Sequence, residues 1–350
     1  MTDSHYIHIL SSLIRETLMS SRFLLVTFFA LFTLSANAQD NIASFEGRWA
    51  LHLPGGAGWL EVTHDQGIVD ASLLWYGGSV LPVASANVTG DQLTITRTQT
   101  VNRDLEDGSQ RNLIFTNMLT LRPDGDRLAG RAQFPDHSGI GSQIIEFEAE
   151  RIPELPPAPD RSQATYGDPI ELFNGTDLTG WSLINDEQAN GFKAEDGMLV
   201  NDPVQPEDSE YIRYGNLRTD ATFEDFRLTL EVNIPEGSNS GVYLRGIYEI
   251  QVADTYGMDA DSHHMGALYS RIQPTSTVEK PAGEWQSMDI TLYQRHLTVI
   301  LNGTTIIDNQ PVLGVTGGAM TADEAAPGPI YLQGDHGRVL YRSLVLTPIK

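Results

Sequence analysis

From Phe45 onward the apolar residues recur at the two-residue period of a strand, and glycine, proline or an Asp-Gly pair interrupts them before any run reaches helical length. Segments 47–53, 59–62, 71–76 and 92–96 follow this pattern, separated by turns at Gly55-Gly56, Gly77-Gly78, Thr89-Gly90-Asp91 and Pro123-Asp124-Gly125-Asp126. Leu119-Thr120-Leu121 and Leu128-Ala129-Gly130-Arg131, on either side of that Asp-Gly turn, make the clearest hairpin. Later, 226–232 and 297–303 alternate in the same way. With 32 glycines and 18 prolines among 350 residues, the chain is predicted to be all-β.

The run Arg151-Ile152-Pro153-Glu154-Leu155-Pro156-Pro157-Ala158-Pro159-Asp160 lacks the amide donors a sheet needs, so 151–165 reads as a semi-rigid linker. It separates a small antiparallel β-barrel or sandwich at 39–150 from a longer all-β unit at 166–350, sized for a two-sheet sandwich. The two units are expected to fold separately. Trp49, Trp59 and Trp75 in the first are read as core fillers rather than sugar platforms.

Charge narrows the partners. Twenty-two basic against 46 acidic residues, formally −24, would repel a phosphate backbone, which excludes nucleic acid and favours neutral ligands such as sugars. The absence of cysteine removes disulfides, thiolate metal sites and cysteine nucleophiles. No dinucleotide fingerprint, phosphate-binding loop or nucleophile elbow stands in a supporting context.

Four segments are more specific. They are Glu171-Leu172-Phe173-Asn174-Gly175-Thr176-Asp177-Leu178-Thr179-Gly180-Trp181; Ser238-Asn239-Ser240-Gly241-Val242-Tyr243-Leu244-Arg245-Gly246-Ile247-Tyr248-Glu249-Ile250-Gln251-Val252; Lys280-Pro281-Ala282-Gly283-Glu284-Trp285; and Gly328-Pro329-Ile330-Tyr331-Leu332-Gln333-Gly334-Asp335-His336-Gly337. In this order they resemble the 3-keto-disaccharide hydrolase family over about residues 168–350. The resemblance implies a concanavalin-like jelly-roll sandwich and action on glycosides oxidised to the ketone at C3. Such a ketone acidifies the C2 hydrogen, so cleavage would need a base near neutrality, an oxyanion stabiliser and an acid for the leaving group.

Read as one strand, 241–252 puts Tyr243, Arg245, Glu249 and Gln251 on one face and Val242, Leu244, Tyr248, Ile250 and Val252 on the other. The first face reads as a substrate groove; a solvated face with an Arg245–Glu249 ion pair is the alternative. His336, bracketed by glycines and preceded by Asp335, is the first candidate for the base, with Glu249 its rival and Asp335 an orienting or metal-binding group. Tyr269, Lys280, Trp285 and Gln333 are further substrate-binding candidates. The loop Asp259-Ala260-Asp261-Ser262-His263-His264-Met265-Gly266 holds donors for a divalent metal or forms a substrate-contacting lid, although its spacing matches no strong metal motif. No other cofactor is implied.

The leading reading is an enzyme acting on carbohydrate; a lectin-like binding protein or an interaction scaffold are the alternatives. At the N-terminus, Arg22, the apolar run 23–34 and Ser35-Ala36-Asn37-Ala38 have the layout of a signal peptide, with Met19 an alternative start. The run is shorter than the roughly 20 residues of a membrane span, so the mature protein is expected to carry no transmembrane segment. A periplasmic or secreted protein beginning at Gln39 is therefore expected. N-terminal sequencing of the exported fraction checks this, and an intact leader in the cytoplasmic fraction would refute it.

Overall fold

The computed structural model describes residues 42–206 and 210–350, so segment 1–38 and its cleavage site lie outside the described residues. Among those described, no helix is long and apolar enough to cross a membrane. The first half is an antiparallel meander of β1 (Gly47–Leu53), β2 (Gly56–Asp65), β3 (Ile68–Trp75), β4 (Leu81–Pro82), β5 (Ser85–Thr89), β6 (Gln92–Asp104), β7 (Gln110–Asp124), β8 (Arg127–Pro135) and β9 (Ser142–Arg151). Its strand order is β4-β3-β2-β1-β9-β8-β7-β6-β5. The two ends of that path are neighbours in sequence: Val83 N–H bonds back to Ala71 and Ala84 N–H onward to Thr96, so the sheet closes into a barrel there. The Asp-Gly hairpin forms as predicted, with Asp124 opposite Arg127 and Leu121 opposite Gly130.

The barrel is filled by Trp49, Leu51, Leu60, Leu73, Ile95 and Leu121 among others. Trp49 is core, as expected, while Trp75 packs edge-on against Tyr76 and Phe147. Trp59 faces outward and is nonetheless buried, because it belongs with Ala50, Ala57 and Leu74 to the apolar cluster of the second half.

That second half comprises β10 (Ile170–Glu171), β11 (Trp181–Leu183), β12 (Phe192–Glu195), β13 (Met198–Asn201), β14 (Leu217–Thr219), β15 (Phe226–Asn233), β16 (Asn239–Leu244), β17 (Tyr248–Ala253), β18 (Trp285–Tyr293), β19 (His296–Leu301), β20 (Thr304–Pro311), β21 (Tyr331–Leu332) and β22 (Val339–Pro348). One sheet runs β12-β13-β22-β15-β18-β19-β20 with β10 on β22, and the other runs β11-β14-β21-β16-β17. Alternation places Phe226, Leu228, Leu230 and Val232 of β15 in a common core with Val242, Leu244, Ile250 and Val252. Asn302-Gly303, both at positive φ, turns β19 into β20.

Segment 241–252 is two strands, which corrects the single-strand reading. Arg245 and Gly246 take positive φ and reverse the chain, and Leu244 pairs with Tyr248. The face assignment survives the turn because directly opposed residues of an antiparallel pair share a face, and Tyr243 is opposite Glu249.

The proline-rich segment is strapped to the sandwich: Asn309 bonds the Pro159 carbonyl, and Arg161 reaches Thr298 and Asp308. At the contact between the halves Arg271 lies 4.3 Å over the Trp59 ring and donates from Nε to the Val315 carbonyl. Burial lowers the pKa of this guanidinium to about 10. Trp59→Ala should cost about 3–5 kcal/mol, as truncation of a buried aromatic does. Because Trp59 serves the sandwich core from the barrel, urea unfolding followed by sandwich-specific probes should register the loss; an unmoved sandwich transition would show the contact to be idle.

Candidate active site

The five-stranded sheet has one face in the core and one turned away from it. On the outer face the pairings Tyr331 with Tyr243 and Tyr243 with Glu249 set three side chains in a row across β21, β16 and β17. Tyr269 extends the row, its N–H bonding the Glu249 carbonyl at 2.9 Å beside the bridge between Ile250 and Leu268. One step along lie Gln333, whose N–H bonds the Gly241 carbonyl, then Gly241 and its partner Gln251. The Glu249 carboxyl occupies the space that Gly241 leaves open: a Cβ there would come within 2.4 Å of Glu249 Oε1.

Tyr243 and Tyr331 stack with ring centroids 3.7 Å apart, and each is 1% exposed. A loop roofs them. Tyr331 donates its hydroxyl to the Gly318 carbonyl at 2.9 Å, and the Tyr243 hydroxyl lies 2.7 Å from the Gly317 carbonyl and 2.8 Å from Glu249 Oε2. Tyr243 has one proton for these two acceptors. The Gly317 carbonyl can only accept, so both contacts are hydrogen bonds when Glu249 carries a proton of its own and donates it to Tyr243.

Burial acts in the same direction. Glu249 is 4% exposed, and removal from water pushes its pKa up to about 7, against the Tyr243 bond and the His336 charge, which lower it. A carboxyl group is thereby held at the edge of ionisation at neutral pH.

His336 and Asp335 stand on the loop after β21, both partly exposed, joined from Nδ1 to Oδ1 at 2.6 Å. The Asp335 bond raises the His336 pKa above the ordinary imidazole value despite opposing burial. Burial pulls Asp335 upward, yet the His336 bond and charge outweigh it and leave its pKa low. Both charges are felt at Glu249, His336 lowering its pKa and Asp335 raising it. Asn201 steadies the loop by donating to the Gly334 and Gly337 carbonyls.

Glu249, Asp335, His336, Tyr243, Gln251, Tyr269 and Gln333 thus gather on or beside one face. Arg245, grouped with them by parity, occupies the turn and directs its guanidinium to the Glu324 and Ala326 carbonyls, away from an ion pair with Glu249. Lys280 and Trp285 are on the other side of the sandwich: Trp285 opens β18 on the eight-stranded sheet, packs against Arg342 at 3.9 Å, and its carbonyl accepts from Lys280 Nζ. Their place in a shared motif did not make them neighbours of Glu249. The donors of loop 259–266 disperse, His264 pairing with buried Glu279 at 3.0 Å and His263 with Ser79 of the barrel at 2.7 Å. Among the described residues no three His, Asp or Glu side chains gather to hold a metal ion. Tyr331, Gly241, Gly317 and Gly318 were not singled out in the sequence; the parity of Tyr331 with Gln333 was the one available signal.

Residues 168–347, just over half of the chain, match the profile of the 3-keto-alpha-glucoside-1,2-lyase-like domain. The chain belongs to that family. Its function is accordingly carbohydrate-related, and the site stands on the family domain. Solved structures with similarity include a candidate glycosyl hydrolase from Parabacteroides distasonis, 26% identical, covering 56% of this chain and 93% of that one at a TM-score of 0.43. A second from that organism is 20% identical, with 52% and 94% covered and a TM-score of 0.44. A carbohydrate-binding module from Bacillus subtilis is 11% identical, with 47% and 93% covered and a TM-score of 0.30. No curated protein matches the chain.

Because the folded protein holds the Glu249 proton more tightly than the unfolded chain does, the stability this confers is complete below the ordinary carboxyl range and lost as pH rises through about 7. Glu249→Gln keeps a neutral group at all pH values. It should match the wild type near pH 4 and exceed it at pH 8, by up to about 3 kcal/mol. Urea denaturation at the two pH values checks the difference; equal stability at pH 8 would contradict it.

Proposed function

We propose that the protein is an exported enzyme that cleaves 3-keto glycosides by removing the C2 proton. The observation that carries this reading is a buried carboxyl poised near neutrality, Glu249, set beside the half-exposed Asp335–His336 pair on a domain of the 3-keto-alpha-glucoside-1,2-lyase-like family. Between the two rival bases, the environments divide the work. Glu249, shielded and able to ionise near neutrality, suits the base; His336, whose proton Asp335 holds more firmly than an ordinary imidazole holds its own, suits the donor that stabilises O3 or protonates the leaving group.

In the proposed sequence Glu249 takes the proton from C2 and the electron pair moves onto the ketone oxygen as an enolate. Collapse of the enolate forms the C1–C2 double bond and breaks the bond from C1 to its substituent, which leaves with a proton from the acid. Addition of water, hydroxyl to C1 and proton to C2, completes net hydrolysis. Two buried oxygens without protein partners, Gln251 Oε1 and Asn239 Oδ1, belong to the same strand pair and are matched by the hydroxyl donors of a sugar. The stacked tyrosines are covered, so they offer no open platform of the sort a lectin uses.

The test is release of 3-keto glucose from 3-keto trehalose and 3-keto β-glucosides. Deuterium at C2 should slow the reaction or wash out into solvent, which direct displacement at C1 would not cause. Glu249→Gln should lose about 10²–10⁴-fold in kcat. The pH profile should rise through about 7 as Glu249 ionises and fall at higher pH as His336 loses its proton. A Glu249→Gln enzyme with full activity would remove the carboxyl from the mechanism.

A further inference from the structure

We infer that the N-terminal barrel is a working part of the site: its Tyr76–Val80 loop wedges the roof over the tyrosine pair and so decides whether Tyr243 gives its proton to the roof or to Glu249. This deepens the reading of Glu249 as the base and rests on it for its catalytic meaning. The barrel and the roof meet backbone to backbone. Gly318 donates its N–H to the Tyr76 carbonyl at 3.0 Å, and a Cβ on Gly317 would lie 2.2 Å from the Gly78 carbonyl oxygen. The same barrel loop grips the segment at the far end of the row. Ser79 Oγ meets His263 Nε2 at 2.7 Å, Val80 N–H donates to Ser270 Oγ at 2.8 Å, and the His263 ring stands edge-on to Tyr269 at 4.8 Å. Trp59, under Arg271, holds the root of the roof at Val315.

The consequence follows from the single hydroxyl proton. With Gly317 pressed down, its carbonyl claims the Tyr243 proton, and Glu249 is left to donate rather than accept. If the roof rises, Tyr243 is free to donate to the carboxylate and the ionised form is favoured. The other titratable groups coupled to Glu249 or beside it are Tyr331 on β21, Tyr341 across the sheet on β22, Asp335 and His336 on the following loop, and Tyr269 backed by His263. None of these takes its position from Gly317 except Tyr331, through neighbouring Gly318.

Gly317 lies outside the left-handed backbone region, so alanine is excluded only by the barrel backbone at Gly77 and Gly78. In full-length protein, Gly317→Ala should lift the roof and move the Glu249 titration to lower pH by about one unit or more. Isotope-edited infrared titration of glutamate carboxyls, with Glu249→Gln as the blank, reads this without substrate. Should Gly317→Ala fail to fold, Ser79→Ala, which unties the wedge from His263, should shift the midpoint the same way by less, and Ser79→Thr should restore it. A folded Gly317→Ala with an unchanged midpoint overturns the inference, as does an unmoved Ser79→Ala midpoint when it is the only variant that folds. Absence of turnover on 3-keto glycosides would instead overturn the functional reading and leave this titration result intact.

Discussion

The five-stranded sheet buries both of its faces, one against the partner sheet and the other, over Tyr243 and Tyr331, beneath a loop that the barrel holds down. A carboxyl group set into that second face has little water to stabilise its charge, and the Tyr243 hydroxyl bonded to it is also claimed by a backbone carbonyl. Everything distinctive about Glu249 descends from this covering. The same side chain on an open sheet face would be an ordinary surface glutamate.

The covering also separates the two titrating groups. Glu249 sits in the sheet and loses solvation; His336 sits on a loop at the rim, where Asp335 helps it hold its proton and water still reaches it. A buried acid is raised toward neutrality by loss of water, and an exposed imidazole is raised above its ordinary value by a carboxylate partner. The proposed reaction asks for such a pair, since one group must be ready to accept a proton while the other can still donate one. Glycines make the geometry accessible: Gly241 leaves the space into which the Glu249 carboxyl folds, and Gly317 lets two backbones approach.

Much of the site was legible as alternation. Tyr243, Glu249 and Gln251 are all at odd positions of one motif, and the three-residue reversal at 245–247 preserves their common face, so a reading that missed the turn still grouped them. Arg245 has the same parity and a different fate, because positive φ at the turn aims it at the Glu324 and Ala326 carbonyls. Trp285 and Lys280 failed for another reason: their segment opens β18, and nothing in a strand's own pattern says which of two stacked sheets it joins.

The amino-acid sequence by itself determined that the chain is all-β, where the Asp-Gly hairpin turns, and which residues of the 238–252 motif share a face, because backbone propensity and side-chain parity are local properties. Only the tertiary structure decided that Glu249 would be dry, that its neighbour's proton would be contested by Gly317, and that the barrel would reach across to hold that contest in place. These depend on residues more than a hundred positions apart, Gly78 against Gly317 and Ser79 against His263. Burial and hydrogen-bond competition are sums over everything packed nearby, and no stretch of sequence carries that sum.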